Sequence, residues 1–126
     1  MYDNTLTKRL TENLTKKRKN NQNINIYVRG AHSSWHFIDS KQYDNDTNKI
    51  INVLVLLIVR IDEKYRNQGL FKQGWSTVRD LFVAQTYWKK LQVQSVKNLH
   101  LLEFLQKQPG ATTATVAGCN AVTFLE

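Results

Sequence analysis

The sequence predicts a mixed α/β fold, a central sheet with flanking helices, and three observations lead there. The run Ile50–Ile61 is long, rich in β-branched residues and Leu, and almost continuous in its apolarity. Such a run marks a strand buried on both faces, central in its sheet. A helical pattern follows, with Phe71, Trp75, Val78, Leu81, Phe82 and Val83 at helical spacing through Phe71–Tyr87. Leu91–Val96 then alternates as a second strand. Strand, helix and strand in that order form a right-handed unit whose two strands lie parallel.

The remaining elements are read in chain order. Leu6, Leu10 and Leu14 recur every fourth residue, so residues 1–20 form a basic amphipathic helix with one apolar stripe. Ile24–Val28 alternates as a strand, Gly30–Ser34 turns, and Trp35–Ile38 returns as the second arm of a hairpin. Gln42–Asn48 is rich in residues that bond their own backbone and reads as a loop. Gly74 is a weak point in the helix that follows the central strand, costing up to about 1 kcal/mol relative to Ala. Asn98–Gln108 reads as a helix ended by Pro109-Gly110. Thr112–Ala117, a Gly118–Asn120 turn and Ala121–Leu125 close the chain as a hairpin.

At 126 residues the chain is expected to be one domain, 1–126, with a sizeable core. The apolar run Val53–Ile61 is far short of the roughly 20 residues a membrane-spanning helix needs. The polar start and the single Cys119 point to the cytoplasm, with no disulfide framework and no membrane partner. The net charge of +8 favours acidic partners: nucleic acid, an anionic cofactor or an acidic protein surface. Lys8, Arg9, Lys16, Lys17, Arg18 and Lys19 concentrate that charge on the first helix. A solvated basic face is the plain explanation, a phosphate-contacting arm the sharper one. No aromatic residues interleave with these lysines to stack bases.

Chemistry concentrates where the central strand ends. Arg66-Asn67-Gln68-Gly69 lies between a buried strand and a helix, a geometry whose free backbone N–H groups can hold a pyrophosphate. In open α/β sheets ligands bind at the carboxyl ends of the central strands, the same place.

From Ile61 through Tyr65, Arg66, Gln68, Gly69, Leu70 and Phe71 the chain resembles the GCN5-related N-acetyltransferases. Their signature leaves a strand on an aliphatic residue, crosses a short link, and continues as aromatic-Arg-x-x-Gly-x-Gly/Ala into a helix. Tyr65, Arg66 and Gly69 match, whereas Phe71 stands in place of the small residue. The resemblance runs from about Ile24 onward, with little room before it for the family's first strand and paired helices. Asn98 falls where the family often has an asparagine touching the cofactor arm. Seven residues later, where a tyrosine commonly protonates the departing thiolate, this chain has Leu105.

The resemblance implies acetyl-CoA as cosubstrate. Its pantetheine arm would pair with backbone near Val59 and Ile61. The N–H groups of Gln68, Gly69, Leu70 and Phe71 would cradle the pyrophosphate, with Asn67 in the same turn and Arg66 adding charge. The acceptor would be a primary amine on a protein lysine, an N-terminus or a small molecule. The alternative is an inactive or weak protein of this fold that regulates a macromolecular partner through its basic surface.

Amine acetylation needs a proton acceptor, a donor for the oxyanion and an acid for the leaving thiolate. Glu63, His36 and Glu103 are the candidate bases, with Asp62, Asp39 and His32 further choices. Tyr43 or Tyr87 would have to replace the missing acid, whose loss typically costs about 10²–10⁴-fold in rate. His32 and His36 share an alternation but lack acidic or Cys partners, so no metal is expected. Trp75 and Trp88 read as core, Trp35 as core or as part of a substrate wall, and Cys119 as an incidental thiol.

Overall fold

The computed structural model describes residues 2–16, 22–94, 99–116 and 119–125. Its elements are α1 (Asn4–Leu14), β1 (Ile24–Arg29), β2 (Ser33–Asp44), β3 (Lys49–Ile61), a 3-10 turn (Glu63–Tyr65), α2 (Leu70–Ala84), β4 (Lys90–Val93), α3 (Leu99–Gln106), β5 (Ala111–Val116) and β6 (Cys119–Leu125). The strands form one sheet in the order β1-β2-β3-β4-β6-β5. Only β3 and β4 pair in parallel, joined across α2. The mixed sheet with a central β3 is the architecture the sequence predicts. No described helix is long and apolar enough to cross a membrane.

All three helices cover one face of this sheet. Leu6, Leu10 and Leu14 of α1, Trp75, Val78 and Phe82 of α2, and Leu105 of α3 form one core with Leu54, Leu56, Leu91, Val93, Val122 and Phe124. The strand members of that set share one side of the pleat in the observed register. Asp3 caps α1 by accepting from the Leu6 N–H at 3.0 Å. Its second oxygen accepts from the Ala31 N–H at 2.9 Å, which ties the helix to the β1–β2 turn. Gln73 on α2 completes the joint, accepting from the Asp3 N–H and donating to its carbonyl.

Several boundaries differ from the sequence expectation; the last strand, for one, starts at Cys119, inside the expected turn. The first helix ends at Leu14, and Lys17, Arg18 and Lys19 lie outside the described residues. The second strand runs to Asp44, so the expected loop Gln42–Asn48 shrinks to a turn at 45–48. Polar residues hold this extension: Asp39–Asp44 pair with Leu54–Lys49, and Asn48 takes a positive φ of 55° in the turn. The helix after β3 stops at Ala84, where Gln85 turns extended and donates from its side chain to the Leu14 carbonyl. The second parallel strand is described only as Lys90–Val93.

Gly74 has a packing reason. A Cβ there would lie 2.2 Å from Cζ2 of Trp35, whose ring fills the space between α2 and β2. Trp35 is buried and belongs to the core, donating from its indole to Ser33 Oγ at 3.0 Å.

Candidate functional site

Among the described residues the parallel pairing covers only part of β3. Val53 to Leu56 face Lys90 to Val93, and the last bond is Gln94 N–H to the Leu56 carbonyl at 3.1 Å. Strand β3 continues to Ile61, so Leu57–Ile61 has no described strand on that side. A bulge sits where the pairing ends. Phe37 pairs with Leu56 and His36 with Ile58, leaving Leu57 as the extra residue on β3. Bulges bend a strand and increase its local twist.

The bulge also sets which backbone groups face the gap. Asp62 N–H donates to the His32 carbonyl at 2.9 Å, so Asp62 is directed at the β1–β2 hairpin. Backbone direction alternates along a strand, so the peptide groups of Ile61 and Val59 are directed into the gap. Arg66 Nε donates to the Ile61 carbonyl at 3.1 Å and folds back over this edge. Val59 and Ile61, expected from the family pattern to meet a cofactor arm, lie on the part of β3 beyond its described pairing with β4.

The link into α2 is built from two left-handed residues, Asn67 (φ 62°) and Gly69 (φ 81°). The first helical bond runs from Gln73 N–H to the Gly69 carbonyl, and no side chain caps the helix. The N–H groups of Leu70, Phe71 and Lys72 thus have no partner within the helix. A Cβ on Gly69 would meet nothing within 4 Å, so the side of the turn it would face is open. His32 stacks on Tyr65 at 3.6 Å and 12°, and Gln68 donates back to the Lys64 carbonyl at 3.1 Å. Both contacts brace the turn. Their presence explains the aromatic residue before Arg66 in structural terms.

Phe71 points into the molecule. Its ring lies 5.7 Å from Trp35, 6.4 Å from Trp75 and 6.0 Å from Phe104 of α3. Leu105 is wholly buried in the core. Tyr43 and Tyr87 are at the other end of the sheet. Tyr43 bonds Asn48 in the β2–β3 turn, and the Tyr87 hydroxyl meets Lys41 at 2.8 Å and Asp39 at 3.3 Å. Asp39 is wholly buried there and also accepts from the Trp88 indole at 3.1 Å. That buried network was not apparent from sequence; its Asp39 and Lys41 lie between the strand read as Trp35–Ile38 and the loop read as Gln42–Asn48.

Of the candidate bases, Glu63 is exposed in the 3-10 turn and Glu103 is exposed on α3. His36 lies on the helix-free face of the sheet, stacked on Tyr27 and bonded to Asn25 at 3.0 Å. His32 and His36 thus have different ring partners, and no group of three potential metal ligands occurs among the described residues. Asn98 lies outside the described residues.

No protein-family description matches the chain, and no curated protein does. Solved structures do match. A mutant AtaT toxin, bound to the C-terminus of the antitoxin AtaR and acetyl-CoA, superposes with a TM-score of 0.54 at 18% identity. That match covers 75% of this chain but spans only 58% of the toxin chain. A KacTA–DNA complex gives 0.56 at 14% identity over 95% of this chain and 78% of the other. An acetyltransferase from Thermus thermophilus gives 0.52 at 12% identity over 86% and 66%. The chain has the fold of the GCN5-related N-acetyltransferases. In that N-acetyltransferase fold the gap beside β3 and the turn at Arg66–Phe71 occupy one end of the parallel pair.

Proposed function

We propose that the chain binds acetyl-CoA in the gap beside β3 and transfers its acetyl group to a primary amine. One observation carries this. Among the described residues the β3–β4 pairing ends at Leu56–Val93 while β3 continues to Ile61, directly before a turn into a helix whose first N–H groups have no partner within it. The fold supports the same reading, and so does the acetyl-CoA in the matched AtaT structure.

The donor chemistry fits the ligand. Phosphate oxygens need several convergent N–H groups and positive charge; Gly69, Leu70, Phe71, Lys72 and Arg66 supply both. An extended amide-bearing arm needs backbone partners, which Val59 and Ile61 offer on the open side. When bound, acetyl-CoA supplies an activated acyl carbon. The amine nitrogen bonds to that carbon, the carbon–sulfur bond breaks, and the sulfur leaves as a thiolate that takes up a proton. Backbone N–H at the end of β3 stabilises the charge on the carbonyl oxygen. Glu63, two residues beyond Ile61 and exposed to solvent, receives the amine proton through water.

The test is direct. Acetyl-CoA at concentrations on the order of tens of micromolar should raise the melting temperature by mass action, and ATP should not. Gly69→Val, which puts a β-branched side chain on a left-handed residue of this turn, should abolish the shift. Absence of any acetyl-CoA effect on the unaltered protein would sink the proposal.

A second reading, a non-catalytic protein that uses this fold to bind a partner, has its own support. Leu105 is sealed in the core, and the hydroxyls of Tyr43 and Tyr87 are engaged at the opposite end of the sheet. Intact-mass measurement of candidate amines incubated with acetyl-CoA separates the two, because only the enzyme adds an acetyl group.

A further inference from the structure

The face of the sheet opposite the helices carries a patterned surface at the ends of β1, β2 and β3. Tyr27, His36 and Ile58 stand side by side across the three strands. Two residues further along each strand's pairing, Arg29, Ser34 and Arg60 make a second row. Together with Val28 and Trp35 these residues line a groove of about 350 Å³. The Leu57 bulge creates the arrangement, because it brings Ile58 and Arg60 to the side that His36 and Ser34 already occupy.

We propose that this groove is a docking surface for single-stranded nucleic acid. Tyr27 and His36 stack at 4.3 Å and 16°, and His36 is held in place by Asn25, so the aromatic pair is rigid. Tyr27 is 70% exposed, leaving its ring available to a base. The row spacing of roughly 7 Å along the strands sets the two guanidiniums beside that platform. Neither Arg29 nor Arg60 forms an ion pair with a described residue, and no acidic residue lines the groove. Arg9 adds a third positive charge at this edge by donating to the Arg29 carbonyl at 2.9 Å.

The chemistry favours this partner over others. An acidic peptide would use the arginines but has no need of an exposed aromatic platform. A duplex keeps its bases stacked on one another and cannot offer them to Tyr27. Single strands use both features, base on ring and phosphate on cation, and the chain's charge of +8 favours the approach. The surface is separate from the gap beside β4 and does not depend on acetyl transfer.

The experiment is fluorescence anisotropy of a labelled twelve-nucleotide single-stranded RNA, titrated with the full chain from 50 to 200 mM salt. Tyr27→Ala should weaken binding between about 5- and 150-fold, the range for loss of one base–aromatic stack, while Tyr27→Phe keeps it. The double variant Arg29→Gln with Arg60→Gln should reduce the salt slope by about 1.4, two phosphate contacts at about 0.7 each. Lys8→Gln with Lys16→Gln should leave the affinity within twofold. Circular dichroism confirms the fold of each variant, and light scattering checks that the signal is not self-association. No binding at 50 mM salt would overturn the proposal. So would equal affinity for a duplex, preference for a polyglutamate peptide, or binding that ignores Tyr27 and both arginines.

Discussion

Gly74→Ala is the substitution whose outcome the structure decides against propensity. In an isolated helix the change would favour folding by up to about 1 kcal/mol. Here the new Cβ would lie 2.2 Å from Trp35 Cζ2 and 2.5 Å from Cη2. The indole cannot easily retreat. It is held by Ser33 at 3.0 Å and lies against Phe37 and Phe71 at centroid distances of 6.2 and 5.7 Å. Overpacking a well-filled core costs about 1–3 kcal/mol, and a contact this short belongs at the upper end. The net expectation is destabilisation by about 2 kcal/mol. For 126 residues at about 2.1 cal/mol/K each, the unfolding entropy near the transition is roughly 0.26 kcal/mol/K, so Tm should fall by about 8 °C. Thermal denaturation followed by circular dichroism measures this. In a Trp35→Phe background, which lacks the colliding ring atoms, the Gly74→Ala cost should fall below about 0.5 kcal/mol. An increase in Tm for the single variant, or an equal cost in both backgrounds, would refute the Trp35–Gly74 argument.

Further outcomes are expected elsewhere. Asp3→Ala removes the cap of α1 and leaves the Ala31 N–H without its acceptor, so chemical denaturation should show a loss of about 1–2 kcal/mol. At Lys41 burial pulls the ammonium pKa down, but the Tyr87 hydroxyl and the Asp39 carboxylate outweigh it and raise the pKa above the ordinary 10.5. Its stabilisation is therefore complete below about pH 10.5 and lost as pH climbs through the folded value; stability of Lys41→Met should fall less steeply above that pH. The Asp44 carboxyl is held low, chiefly by the Thr47 hydroxyl, so its contribution is present above pH 3.8 and fades on acidification. Thr47→Val should flatten the acid limb of the stability profile. Leu105→Tyr should lose about 2 kcal/mol or more in the same denaturation assay, through overpacking and a buried hydroxyl without a partner.

The elements were legible where hydrophobic periodicity was strong. Leu6, Leu10 and Leu14 announce α1, and the Ile50–Ile61 run announces a central strand. The turn at Arg66–Gly69 was legible because glycine before a helical pattern is a local signal, and its left-handed backbone follows from it. What could not be read depended on register. The bulge at Leu57 is hidden inside a continuous apolar run, where one extra residue changes no pattern. Without it the alignment of Arg29, Ser34 and Arg60 is invisible, since those residues are scattered over 32 positions of sequence. The extension of β2 through Asp39–Asp44 was concealed by polar residues whose partners, Trp88, Tyr87 and Lys90, come from beyond β3. Phe71 read as a departure from the family signature and Gly74 as a weak point in the helix, and both pack against one distant ring, that of Trp35.

Phe71 and Leu105 depart from the family pattern for a shared physical reason. Phe71 lies in the first turn of α2, and its ring is bracketed by Trp35 below and Phe104 on α3 beside it. Phe104 and Leu105 are adjacent, so α3 is docked by the same contacts that fix the start of α2 beside the turn. A small residue at 71 would leave Phe104 without its edge-on partner, and a tyrosine at 105 would have to enter a core already filled. The aromatic wedge thus fixes the start of α2 and the docking of α3 together. Restoring the family's residues one at a time should therefore cost stability without restoring an acid. With solvent as the acid for the leaving thiolate, the proposed acetyl transfer should be slow relative to the strength of the proposed acetyl-CoA binding.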